Sequence, residues 1–190
     1  ASGIDAVTHA LEAYASMLAT DYTDGLALRS LKLVFENLPR AYENGATDPR
    51  ARENMANAAT MAGMAFSSAG LGLCHAISHA LGGEFHKPHG LLNAILLPSV
   101  VEVNAEKALK RYAGLARQLG LSSGGDVVAL RSLKSTLCRL RRELDLPANL
   151  MEAGIDIRQL EEKADALVSA ALLDPCCATN PVRPTEAHIR

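Results

Sequence analysis

The chain has 190 residues, of which 48% are hydrophobic, and its formal net charge is −2. This length and apolar content suit a single domain with one packed core. The near balance of 19 basic and 21 acidic side chains, without a basic cluster, argues against nucleic acid and anionic membranes as main partners. No apolar stretch reaches the roughly 20 residues of a membrane-spanning helix, so we expect a soluble protein with no membrane partner. The spacing of the four cysteines favours the reducing cytoplasm as its location. The first residue is Ala rather than Met, which indicates a processed chain or a fragment.

Apolar residues recur at spacings of three and four along most of the chain, and this pattern predicts an all-α fold over residues 1–190. Caps, prolines and glycines set the expected bounds, with Ser2 as the cap of the first helix. In chain order, the expected helices run over about 2–20, 23–39, 49–64, 73–81, 91–103, 107–119, 126–144 and 157–172.

The third expected helix lacks large side chains. Its small residues would let other helices approach closely, so we expect it to lie buried in the centre of the fold. These residues are Ala58, Ala59, Ala62, Gly63 and Ala65. The four cysteines form no C-x-x-C pair, which indicates reduced thiols rather than a disulfide framework or a thiolate zinc site.

Asp5 and His9 are four residues apart on the first expected helix, so both side chains lie on one face. They can therefore share a ligand, although a surface hydrogen bond between carboxylate and imidazole would have the same spacing.

Four of the six histidines fall within fifteen residues, at His75, His79, His86 and His89. The first two share a helix face, and Pro88 lies in a turn that can bring His89 back toward it. Imidazole and carboxylate together suit a divalent metal such as Fe(II), Zn(II) or Mn(II). Spacing does not decide which histidine of the helical pair would bind. Such a site serves a metal-dependent hydrolase as well as an oxidoreductase. A helical interaction module without a metal is a third alternative.

Residues 3–13, GIDAVTHALEA, resemble the G-x-D-A-x-T-H-A-x-E segment of the iron-containing alcohol dehydrogenases. Residues 72–90, GLCHAISHALGGEFHKPHG, resemble the H-x-x-x-H-x-L-G-x(5)-P-H-G signature of the same family, which continues in Asn93, Ala94 and Pro98. The triplet at 179–181 fits the family's T-N-P near the end of the chain. The resemblance thus extends over essentially all 190 residues.

This resemblance implies the helical-bundle, C-terminal half of the two-domain architecture shared with dehydroquinate synthase. It implies that Asp5, His9, His75 and His89 are the metal ligands. His79 would lie beside the metal without binding it. Because it lies one turn from His75, it is our candidate catalytic residue, which would orient substrate and relay a proton; the alternative is a histidine that only holds a ligand in place.

The resemblance also implies the cofactors and partners: Fe(II) or Zn(II), and NAD or NADP bound by an N-terminal nucleotide-binding domain that these residues do not supply. The expected reaction interconverts a short primary alcohol and its aldehyde by hydride transfer. Residues 21–52 are similar to those of ethanol and propanol dehydrogenases, including propanol dehydrogenases of bacterial microcompartments. A homo-oligomer is compatible with the sequence.

Overall fold

The computed structural model describes residues 2–190, which form helices and connecting turns without a strand and so confirm the all-α prediction. The elements are α1 (Ser2–Ala15), α2 (Asp21–Asn44), α3 (Pro49–Ala69), α4 (Leu73–Phe85), α5 (His89–Gln118), α6 (Asp126–Glu143), α7 (Ile157–Leu173), a 3-10 segment (Pro175–Thr179) and α8 (Glu186–Ile189).

The first helix is the central one, because it packs against α2, α3 and α5 at once. An apolar surface around most of its circumference makes this position favourable. Its buried apolar residues are Ile4, Ala6, Val7, Ala10, Leu11, Ala13, Tyr14 and Ala15. Helix α4 packs against α5 and α7, and its first residues contact α1. The chain therefore brings α1, α4 and the start of α5 together.

The prediction that α3 is the buried central helix was wrong. Only one stripe of α3 is buried, formed by Ala51, Ala58, Ala62, Ala65 and Ala69. Its other faces are open: Ala59 is exposed, Gly63 is half-buried, and Met64 is 56% exposed. Small residues on one face allow close helix packing, but they do not by themselves require burial on every side.

The first two helices depart from their expected bounds at Thr20 and Pro39. Helix α1 includes Ser2 and ends at Ala15, and Thr20 is the N-cap of α2, where its side chain accepts from the backbone of Thr23. Helix α2 continues through Pro39 to Asn44. Packing against α3 offsets the backbone hydrogen bond lost at the proline.

The glycine pair Gly82-Gly83 does not end α4, which runs on to Phe85. The helix ends where His86 adopts a left-handed conformation with φ 52°, and its N–H donates to the carbonyl of Gly82 at 3.0 Å. Glycine lowers helix propensity by only about 1 kcal/mol per residue, and tertiary packing overrides that cost here.

A single 30-residue helix, α5, replaces the two helices expected on either side of Asn104. This residue is buried and exchanges two side-chain hydrogen bonds with Asn180, at 3.0 and 2.7 Å. The pair ties the middle of α5 to the segment before α8. The residue that follows the expected end of the first of these helices, at 103, is thus a buried tertiary contact inside one continuous helix.

Replacing Asn180 by Ala should destabilise the fold by about 3 kcal/mol, because it leaves several buried polar groups without partners. Asn180 accepts from the N–H of Leu73 and donates to the carbonyl of Val182, besides its bonds with Asn104. The expected fall in Tm is about 6 to 12 °C by calorimetry. The matched control is Asn57→Ala on the exposed side of α3, and equal Tm values for the two variants would contradict the prediction.

Among the described residues, no single helix is long and apolar enough to cross a membrane. The pair α3 and α4 passes that test only when taken together, across a bend of 104°. All four cysteines are free thiols, as their spacing predicted.

Candidate metal centre

Three polar side chains follow one face of the otherwise apolar helix α1, at Asp5, His9 and Glu12. The spacing of four and three residues aligns them along the helix. Nε2 of His9 lies 3.9 Å from Oδ2 of Asp5, so the two residues share a site as expected.

Two imidazoles from other helices meet the same carboxylate. Nε2 of His75, on α4, lies 3.9 Å from Oδ1 of Asp5, and Nε2 of His89, at the start of α5, lies 3.7 Å from that oxygen. The ligand atoms of these three residues all lie within 4.8 Å of one another. Side chains as far apart in the sequence as Asp5 and His89 are thus close enough to bind the same ion.

His9 borders this group from its other side. It approaches the second oxygen of Asp5, and its ring stacks on that of His75 with centroids 4.7 Å apart. Phe66 of α3 packs on His9 at 4.6 Å and limits the orientation of its ring.

The spacing of Asp5, His75 and His89 fits a divalent metal ion, and His9 lies beside them through its approach to Asp5. Ligand atoms about 2.1 Å from a tetrahedral metal lie roughly 3.4 Å from one another. The distances of 3.7 to 3.9 Å between Asp5 and each imidazole therefore need only small side-chain movements. Three imidazoles and a carboxylate match the donors that Fe(II) and Zn(II) accept.

The histidine environment favours neutral imidazoles. Burial lowers the pKa of His9, and the nearby Asp5 carboxylate opposes this only in part. Burial likewise lowers the pKa of His89, and the negative charge of Asp5 again opposes this shift only in part. A neutral imidazole has the free lone pair that a metal requires.

Glu12 is a site residue that the sequence reasoning missed. It is buried, and its carboxylate approaches Nδ1 of His75 at 2.6 Å. It also accepts from the N–H groups of Gly72 (2.9 Å) and Cys74 (2.6 Å) at the start of α4. An acceptor at Nδ1 leaves the Nε2 lone pair of His75 directed at Asp5. A signal was present, since Glu12 follows Asp5 by seven residues on the same helix face.

Ser78 orients His89 in a similar way. Its hydroxyl donates to the carbonyl of His75 at 3.2 Å, which leaves its oxygen to accept from Nδ1 of His89 at 3.3 Å. Proton placement at Nδ1 again leaves Nε2 as the free nitrogen.

Asn93 lies on the buried side of the group, one helical turn after His89. Its amide nitrogen donates to Oδ1 of Asp5 at 2.7 Å and lies 3.1 Å from Nε2 of His89. Burial raises the pKa of Cys74 well above its usual value, so the thiol stays protonated and donates to the Asn93 side chain. The sequence pattern included Asn93 but assigned it no role.

The two remaining histidines of the dense cluster differ in position. The ring of His79 stacks on that of His89 with centroids 5.2 Å apart, and Nδ1 of His79 lies 2.8 Å from Asp174. Its side chain is 45% exposed, so His79 lies at the rim of the group. His86 is exposed and ends α4.

An all-helical domain that gathers a carboxylate and three imidazoles from three helices belongs to the class of domains that can hold a divalent metal ion. The family model for the C-terminal part of the Fe-containing alcohol dehydrogenase family matches residues 1–190, and the chain belongs to this family.

Similar proteins include a 1-propanol dehydrogenase of Salmonella typhimurium, 45% identical over 98% of this chain and 51% of that protein. The bifunctional aldehyde-alcohol dehydrogenase of Escherichia coli is 42% identical over 99% of this chain and 23% of its own length. The solved structure of the alcohol dehydrogenase from Oenococcus oeni gives a TM-score of 0.92 at 33% identity, over 100% of this chain and 49% of that one. The chain thus spans about half or less of the length of these relatives.

Proposed function

We propose that this chain is the metal-binding part of an alcohol dehydrogenase that interconverts a short primary alcohol and its aldehyde. The observation that carries the proposal is the convergence of Asp5, His75 and His89 within 4.8 Å, with His9 beside them. The printed names of the relatives, which include a 1-propanol dehydrogenase, support a short primary alcohol as substrate.

In this proposal, Asp5, His9, His75 and His89 hold the metal ion, which is Fe(II) or Zn(II). When bound there, the ion would supply Lewis-acid polarisation of an alcohol oxygen. The protein contributes the orientation of the ligands: Glu12 fixes His75, and Ser78 fixes His89.

His79 is the proposed catalytic residue. It lies at the exposed rim of the group and stacks on His89, so a small molecule entering the site would contact its ring. One ring nitrogen, Nε2, is left to contact a substrate hydroxyl, because Nδ1 is engaged by Asp174.

The hydride acceptor in this proposal is NAD or NADP, bound by an N-terminal nucleotide-binding domain outside the 190 residues. The share of the relatives that this chain covers, 51% of the propanol dehydrogenase, leaves room for such a domain. Cytoplasmic location, a place within a microcompartment and a homo-oligomer are further parts of the proposal.

Neither alternative function has a specific observation in its favour. A hydrolase would use the same ligands, but the relatives named above are dehydrogenases. An interaction module without a metal would have no need of three oriented imidazoles around one carboxylate.

The test is the metal content of the 190-residue protein, purified without oxygen and analysed by mass spectrometry. We expect about one iron or zinc ion per chain, and its loss in the variant His89→Ala. Joined to a nucleotide-binding domain, the protein should oxidise 1-propanol with reduction of NAD or NADP.

The matched control is His86→Asn, since His86 lies in the same segment but outside the group, and Asn tolerates its left-handed backbone. This variant should keep its metal. Absence of metal from the unmodified protein, or ester hydrolysis by the chain alone, would argue against the proposed function.

A further inference from the structure

His79 is the one histidine of the group whose partner comes from the end of the chain. Nδ1 of His79 lies 2.8 Å from Oδ2 of Asp174, 95 residues later. The side chain of His79 is 45% exposed, whereas that of Asp174 is only 14% exposed. The Asp174 carboxylate is therefore the more restrained side chain of the pair, and it can hold the more exposed imidazole of His79 in one orientation.

Asp174 is held independently of His79. Its other oxygen, Oδ1, accepts from the N–H of Cys176 at 2.8 Å, which caps the 3-10 segment, and its own N–H donates to Ala171 at the end of α7. Burial alone would raise the pKa of Asp174, but the hydrogen bonds from Cys176 and His79 outweigh it and lower that pKa. The carboxylate is thus ionised at neutral pH and can only accept hydrogen bonds.

An acceptor at this position requires a proton on Nδ1 of His79. The neutral ring then has its lone pair on Nε2, the nitrogen not bound to Asp174. The same helix presents the same arrangement one turn earlier, where Glu12 approaches Nδ1 of His75 at 2.6 Å. Stacking on His89, with an angle of 17° between the rings, fixes the plane of His79 as well.

We infer that Asp174 is a positioning residue: it selects the Nδ1–H tautomer of His79, so that Nε2 accepts the hydroxyl proton of an alcohol substrate. This inference rests on the proposed function for its consequence. Nε2 would take the O–H proton as the C=O bond forms, and the NAD or NADP of the proposed function would supply the acceptor for the hydride of the broken C–H bond. Asp174 touches neither substrate nor cofactor in this scheme, and it acts only through the imidazole.

The tautomer can be measured without metal and without turnover. The 190-residue protein is labelled with ¹⁵N-histidine, treated with chelator, and examined by long-range ¹H–¹⁵N NMR at mildly alkaline pH, where imidazoles are neutral. We expect His79 to show a protonated Nδ1 and an unprotonated Nε2. In Asp174→Ser, the hydroxyl can still cap the 3-10 segment but is too short to hold the imidazole. His79 should then revert to the Nε2–H form that predominates in free histidine.

Asp156→Ala is the matched control, because Asp156 caps the start of α7 by the same type of hydrogen bond, with Arg158 as donor, and has no histidine partner. This variant should leave the His79 signals unchanged. A protonated Nε2 in the unmodified protein, or identical His79 spectra in Asp174→Ser, would overturn the inference. Since the measurement is made without metal, failure of the proposed function would appear separately, as absence of metal from the untreated protein.

Discussion

Replacing Asp5 by Ala or by Asn should weaken metal binding by at least about 100-fold, the largest effect expected at this site. Mutation of a residue that only hydrogen-bonds to a metal ligand typically lowers the metal affinity 10- to 100-fold. Removal of the only carboxylate ligand should lower it by more than that range. The reason is geometric, because Asp5 is the residue that His9, His75 and His89 all approach within 3.9 Å. The change also removes the only negative charge among the four side chains.

The measurement is the rise in Tm on adding Zn(II) to the chelator-treated protein. At a metal concentration of about 100 times the Kd, binding stabilises the native state by about 2.7 kcal/mol, or roughly 5 to 10 °C. The rise should fall to about 2 °C or less in both Asp5 variants. It should persist in Asp21→Ala, a change at an exposed aspartate in the first turn of α2. A full rise in Asp5→Asn would show that the metal binds elsewhere.

Replacing Glu12 by Ala should destabilise the metal-free protein by about 3 to 5 kcal/mol, which is typical when one partner of a buried charged group is removed. The N–H groups of Gly72 and Cys74 and the Nδ1–H of His75 would all lose their acceptor. Glu12→Gln keeps the shape but points an amide NH₂ at donors, so most of the loss should remain. The affinity of both Glu12 variants for the metal should also fall, by about 10- to 100-fold, because His75 loses the acceptor that orients it.

Urea unfolding gives the free energy directly, and Glu53→Gln on the exposed side of α3 is the matched control. We expect a lower midpoint for both Glu12 variants at an unchanged slope. If the urea midpoint of Glu12→Gln equals that of Glu53→Gln, the negative charge of Glu12 does not stabilise the start of α4, and the prediction is wrong.

The local part of the site could be predicted from the sequence, because helical spacing aligns Asp5 with His9 and His75 with His79. The partners that orient these residues could not. The acceptor of His75 is 63 residues away, and that of His79 is 95 residues away. Periodicity within one helix carries no information about such pairs.

The same limit explains the errors in the fold. Asn104 resembled a break between helices because its partner, Asn180, lies 76 residues further on. Glycines at 82 and 83 resembled a stop because their low helix propensity is visible in the sequence, whereas the packing that overrides it is not. The helical class itself was predictable, since it depends on local periodicity.

Helix α4 has a consequence for when the site can assemble. Its cap residue, Gly72, has no side chain, and the first N–H groups of the helix are bound instead by Glu12 and Asn180. A side chain on residue 72 would collide with both, since its Cβ would lie 2.7 Å from Asn180 and 3.0 Å from Glu12. Contacts so distant in sequence carry a large loop-closure cost, which slows their formation. We therefore expect the histidines of α4 to reach their final positions only after the segment around Asn180 has packed against Leu73, so metal loading should follow that packing step.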